Sequence, residues 1–152
     1  MKIAVDFDGT IVEHKYPEIG KEIPFAIDVL KQLSSENHKI ILWTVREGQL
    51  LDDAVEFCRK RGLEFYAVNS NVPEGSAHHP QKARKLIADY YIDDRNVGGL
   101  PDWGMIYKMI TRNLTYEQLA NGSFEDTEDD EDSSPFRSGL LGRGVWRRRR
   151  RR

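Results

Sequence analysis

Apolar residues fall along this chain in short unbroken runs that alternate with stretches of helical periodicity. Ile3-Ala4-Val5 is continuous and ends in the turn chemistry of Asp6 to Thr10, as expected of a buried parallel strand. Ile11 to Ile23 is polar and holds Pro17 and Gly20, which predicts a loop or small hairpin over the end of that strand. Pro24 suits the first position of a helix, and Phe25, Ala26, Val29, Leu30 and Leu33 recur at helical spacing. A Ser34 to Asn37 turn leads into a second apolar strand, Lys39 to Thr44. Leu50 to Arg61 reads as an amphipathic helix closed by Gly62, and Leu63 to Val68 as a third strand. After a loop from Asn69 to Pro80, Gln81 to Ala88 suits a short helix and Tyr90-Tyr91-Ile92 a fourth strand. Met105 to Ile110 and Leu114 to Leu119 read as short terminal helices.

Alternating strands and helices predict an α/β fold, a doubly wound, Rossmann-like parallel sheet with helices on both faces. Such sheets bind ligands beyond the carboxyl ends of their strands. Asp6, Asp8, Thr44, Asp93 and Asp94 all stand at predicted carboxyl ends, so the topology is expected to gather them in one crevice.

Composition narrows this picture to one domain. The chain has 152 residues with 39% hydrophobic content, enough for a single core over residues 1–122. Beyond Gly122 the periodicity stops. Glu125 to Asp132 is almost wholly acidic and Arg147 to Arg152 is six arginines in a row, so residues 123–152 are expected to form a charged, disordered tail. The net charge of −2 gives no general attraction to nucleic acid, and the acidic block competes for the arginines that would grip phosphates. Cys58 is the only cysteine, which fits a reducing, cytoplasmic setting. No apolar run is long enough to span a bilayer, so no membrane partner is expected.

The candidate chemistry lies in the first acidic turn. A period of two puts Asp6 and Asp8 on one side of an extended backbone, and Gly9 permits a tight turn beside them. Two such carboxylates repel unless a cation sits between them, and Mg²⁺ is the hard, oxygen-seeking ion that suits the task. Alone, the run is equally readable as an acidic turn. Four ordered motifs together resemble those of the haloacid dehalogenase superfamily of phosphohydrolases: Asp6-Phe7-Asp8-Gly9-Thr10, then Thr44 after an apolar strand, then Lys85, then Asp93-Asp94. The runs Trp43 to Gly48 and Tyr91 to Asn96 are most similar to those of its small capless phosphatases, and neither Ile11 to Ile23 nor Asn69 to Pro80 has room for a cap domain.

The resemblance implies a Mg²⁺-dependent phosphomonoesterase acting on a small phosphorylated metabolite, such as a sugar phosphate. Asp6 is the implied nucleophile and Asp8 the acid and base. Thr44 is implied to bind the transferring phosphoryl group and Lys85 to neutralise its charge; Lys82 also precedes the last strand but stands at a different distance from the acidic pair. The implied Mg²⁺ ligands are Asp6, the Asp8 carbonyl and Asp93, with Asp94 assisting. Arg46 is a candidate for a second anionic group of the substrate, with a surface ion pair as the alternative. His78 and His79 lack partners at zinc spacing, His14 receives no role, and Trp43 is assigned to packing. An open crevice without a cap leads us to expect a homo-oligomer whose second copy supplies the missing wall. The rival readings are a non-catalytic binding protein of the same fold, a phosphatase of a macromolecular substrate, and a phosphorelay receiver. Receivers take phosphate after a middle strand, and here those strands end in Thr44 and Asn69 rather than in an acid.

Overall fold

Four short apolar strands pair in parallel to make the sheet. The computed structural model describes residues 1–76 and 85–122. In chain order it contains β1 (Lys2–Val5), α1 (Ala26–Ser35), β2 (Lys39–Leu42), α2 (Gly48–Arg59), β3 (Ala67–Val68), β4 (Tyr90–Ile92), α3 (Trp103–Thr111) and α4 (Tyr116–Ala120). The strand order is β3-β2-β1-β4, with Ile3 opposite both Ile40 and Tyr90, and Val5 opposite both Leu42 and Ile92. The fold is therefore the expected α/β, Rossmann-like arrangement, with β1 in the interior of the sheet.

Strand alternation divides the core into two. Ile3, Val5, Ile40, Leu42 and Ile92 share one cluster with the buried stripes of α1, α2 and α3. Ala4, Ile41 and Ala67 point the other way and meet Leu86, flanked by Trp43, Tyr66 and Tyr91. Among the described residues α1, α2 and α3 all cover the first face, so the expected helices on both faces are not found there; the second face is met by Leu86 from a non-helical segment. Residues 77–84, with Lys82, His78 and His79, and the tail from 123 onward lie outside the described residues.

Several boundaries differ from expectation for physical reasons. α1 begins at Ala26 rather than Pro24, because Phe25 takes a left-handed conformation (φ 67°) in the turn before it. α2 begins at Gly48, two residues early, and ends at Arg59, two residues before the expected Arg61; the turn that follows closes with Gly62 at φ 80° and the Leu63 amide donating back to the Cys58 carbonyl. The expected helix over Gln81 to Ala88 is not found in its described part. There the Ile87 amide donates to Asn71 Oδ1, the Ala88 amide to the Tyr91 hydroxyl and the Asp89 amide to the Lys2 carbonyl, so none is left for a helical bond. Among the described residues no helix is long and apolar enough to cross a membrane.

The segment after β1 is the expected small hairpin. Val12 bridges Glu22, and the Glu13 amide donates to the Lys21 carbonyl at 2.7 Å. Gly20 is obligatory here, since a Cβ would sit 2.0 Å from the Glu13 carbonyl oxygen. The hairpin tip, residues 13–18, is exposed.

Candidate active site

The order β3-β2-β1-β4 places a topological switch point between β1 and β4, since the chain leaves β1 toward β2 and returns on its other side. Acids follow both strands there. The Asp6 amide donates to the Ile92 carbonyl at 3.0 Å, tying the two strand ends together. Asp94 is drawn in by Thr10, whose buried Oγ1 accepts from the Asp94 amide at 3.0 Å. Gly9 makes the approach possible: its φ is 90°, and a Cβ there would lie 2.4 Å from Asp94 Oδ2. Asp93 turns on itself, its Oδ1 accepting from the Arg95 amide at 2.8 Å.

These turns bring one carboxylate oxygen from each of Asp6, Asp93 and Asp94 within 4.8 Å of one another. The result is a concentration of negative charge. Asp94 Oδ1 is buried and has no hydrogen-bond partner. The Asp6 carboxyl is raised from 3.8 to about 6, first by burial and then by Asp93, Asp94 and Asp8, against the lowering effect of a backbone hydrogen bond from Phe7. An all-oxygen donor set with an orphaned buried oxygen and strained charge fits a hard divalent cation such as Mg²⁺ better than zinc.

Asp8 stands apart from that trio. Its carboxylate is buried and grasped side-on by Arg46, with Nε to Oδ2 and Nη2 to Oδ1 both 2.7 Å. Arg46 is 0% exposed, so the expectation that it waits for a second anionic group of a substrate is corrected. A buried carboxylate needs a partner, and Arg46 is that partner.

A cleft of 280 Å³ opens over the acids, lined by Asp6, Asp8, His14, Tyr16, Val45, Asp93 and Arg95. Thr44 is next to this lining. It is half-buried, its amide donating to Asn69 Oδ1 at 2.8 Å and its hydroxyl accepting from the Arg46 amide at 3.3 Å. Lys85 does not line the cleft. It is exposed, with its ammonium 5.0 Å from the centre of the Tyr91 ring, on the side of the sheet that carries Ala4 and Ile41. The non-helical path from Lys85 to Asp89 leads it there, which corrects its expected place beside Asp6.

Among solved structures, the chain is similar to that of the conserved protein coded by a locus from Bacteroides thetaiotaomicron. The two are 62% identical, the match covers 78% of this chain and 96% of that one, and the TM-score is 0.74. The chain belongs to that protein's family. No protein-family model matches it, and neither does any curated protein. Identity at this level makes the parallel α/β core a property of the family rather than of this chain alone.

Sequence reasoning passed over four residues that build the site. Thr10 orients Asp94, and Asn69 holds the Thr44 backbone from the left-handed conformation (φ 47°) that Asn tolerates after β3. Tyr16 and Arg95 line the cleft. Thr10 had a signal, as the hydroxyl residue closing the first motif. Arg95 had one as well, directly after the acidic pair.

Proposed function

We propose that this protein is a Mg²⁺-dependent phosphomonoesterase of the haloacid dehalogenase type, working through an aspartyl-phosphate on Asp6. The observation that carries the reading is the trio of Asp6, Asp93 and Asp94 at the switch point, with Asp8 opening onto the same cleft. A phosphoryl group is the substrate moiety that uses a nucleophilic carboxylate, a neighbouring acid and a cation together.

Asp6, Asp93 and Asp94 would hold Mg²⁺, which supplies charge neutralisation for the transferring group when bound. In the first half-reaction an Asp6 oxygen attacks phosphorus. The bond from phosphorus to the ester oxygen breaks, and that oxygen takes its electron pair and a proton from the Asp8 carboxyl. In the second half, water attacks phosphorus and gives its proton to the Asp8 carboxylate. The bond to Asp6 breaks, and inorganic phosphate leaves with both acids restored. Arg95, at the cleft wall, supplies positive charge, the task expected of Lys85.

The cleft volume suits a small phosphate ester such as a sugar phosphate. The single thiol, Cys58, is buried and agrees with work in the cytoplasm. The exposed tip at residues 13–18 leaves the mouth open, which favours a homo-oligomer in which a second copy completes the wall.

The test is phosphate release from an aryl phosphate and from a panel of sugar phosphates, with Mg²⁺ and with chelator. Hydrolysis is expected only with the cation. Asp6→Asn is expected to lower it by about a thousandfold or more. Near-parental turnover by Asp6→Asn would overturn the covalent route, and no turnover by the parent on any ester would overturn the phosphatase reading.

A further inference from the structure

We propose, on the phosphatase reading above, that Arg46 is a positioning residue that clasps the hairpin tip to Asp8, so that one guanidinium sets both the acid and the wall of the cleft. Four hydrogen bonds leave this side chain. Two go to the Asp8 oxygens, while Nη1 donates to the Pro17 carbonyl and Nη2 to the Glu18 carbonyl, both at 2.9 Å. Its central carbon lies 5.1 Å from the centre of the Phe7 ring and 5.3 Å from that of Tyr16.

The geometry is specific to arginine. The planar fork spans both Asp8 oxygens and still presents donors outward to the tip, whereas a lysine ammonium is a point charge that meets one or two of these acceptors. A buried ion pair is a poor source of stability compared with apolar packing, so orientation is the benefit the arrangement delivers. Each Asp8 oxygen retains a second lone pair, and Asp8 lines the cleft while Arg46 does not.

The tip itself has little else to hold it. Residues 13–18 are all exposed, and the hairpin pairing from Val12 to Glu22 secures its stem rather than its end. The two carbonyls bound by Arg46 follow Tyr16, which with His14 lines the cleft. Releasing Arg46 therefore frees Asp8 and slackens the wall at once.

Leaving-group dependence separates positioning from a general structural role. The electron pair of the broken bond from phosphorus to oxygen ends on the ester oxygen. An alkoxide is a strong base and needs the Asp8 proton, whereas p-nitrophenolate is a weak base and leaves without it. Values of kcat/KM report the step in which this oxygen departs. Arg46→Lys is expected to lower kcat/KM about a hundredfold on an alkyl phosphate, the scale of lost general acid catalysis, and by about tenfold or less on p-nitrophenyl phosphate. It is also expected to speed tryptic cleavage after Lys15, followed by mass spectrometry of the fragment beginning at Tyr16. Equal losses on the two esters would overturn the positioning role, while a parent that hydrolyses neither ester would instead overturn the phosphatase reading. If Arg46→Lys does not melt cooperatively, Asp8→Asn carries the test by proteolysis, since it takes the charge and one acceptor oxygen from the inner side of the clasp and leaves the sequence of the tip unchanged. It is expected to accelerate the Lys15 cut; an unchanged cutting rate would overturn the clasp.

Discussion

Asp6 holds its proton to about pH 6, well above the ordinary 3.8, and this ties the stability of the fold to the cation it is proposed to bind. Between those two values the folded chain keeps a proton that the unfolded chain has released. Stability of the metal-free protein is therefore expected to fall as pH rises through this window and to level off above it. Mg²⁺ neutralises the carboxylates in their ionised form and adds stability by mass action. Its effect on the melting temperature is expected to be small near about pH 5 and large near about pH 7.5, read by thermal melts with and without the ion. Asp6→Asn removes the like-charge repulsion from Asp93, Asp94 and Asp8, so its metal-free melting point is expected to rise while its Mg²⁺ response shrinks. A Mg²⁺ response equal at both pH values would argue against ligation through Asp6.

At the scale of elements, α1 shows how little of the helical framework takes part in the chemistry. Ala26, Ile27, Val29, Leu30 and Leu33 are buried along one stripe, and α1 packs on β2 and α3 rather than lining the cleft. Leu30→Ala, at a position 0% exposed, is expected to cost about 2–5 kcal/mol in urea unfolding with an unchanged slope. Hydrolysis in the remaining folded protein is expected to keep its parental KM. The strands behave differently, because their lengths of two to four residues leave the turns that follow them to carry the site. Gly9, Thr10 and Asn69 occupy those turns: Gly9 for its backbone, Thr10 for its hydroxyl and Asn69 for its side-chain oxygen.

For the whole molecule, the interior place of β1 is what makes the site. The acids after β1 face those after β4 because the two strands are paired across the switch point, although 84 positions separate Thr10 from Asp94. The sheet, both apolar clusters and the cleft lie within residues 1–122. A chain ending at Gly122 is therefore expected to keep the kcat/KM of the full chain on a small phosphate ester and the same Mg²⁺-dependent melting shift. A tenfold loss on truncation would place part of the catalytic apparatus in the tail. Light scattering of the same two chains reads the oligomeric state, and an active monomer would remove the second copy from the proposed site.

Local chemistry determined a good deal from the sequence alone. Continuous apolar runs marked β1, β2 and β4, helical spacing marked α1 and α2, and acids directly after apolar strands marked Asp6, Asp8, Asp93 and Asp94; periodicity and turn propensity act over a few residues and need no partner to be legible. The described part of the Gln81 to Ala88 segment was misread because its amides are claimed by Asn71, Tyr91 and Lys2, which no local pattern reveals. The pairing of charges was decided only in three dimensions. Asp8 and Arg46 are 38 positions apart, and the burial that forces a carboxylate to take a guanidinium partner exists only once the hairpin folds over β1. The same holds for Lys85, whose spacing suited the cleft but whose ammonium lies over the Tyr91 ring instead. Side-chain direction follows from where the backbone hydrogen bonds go, and those partners are supplied by the tertiary structure.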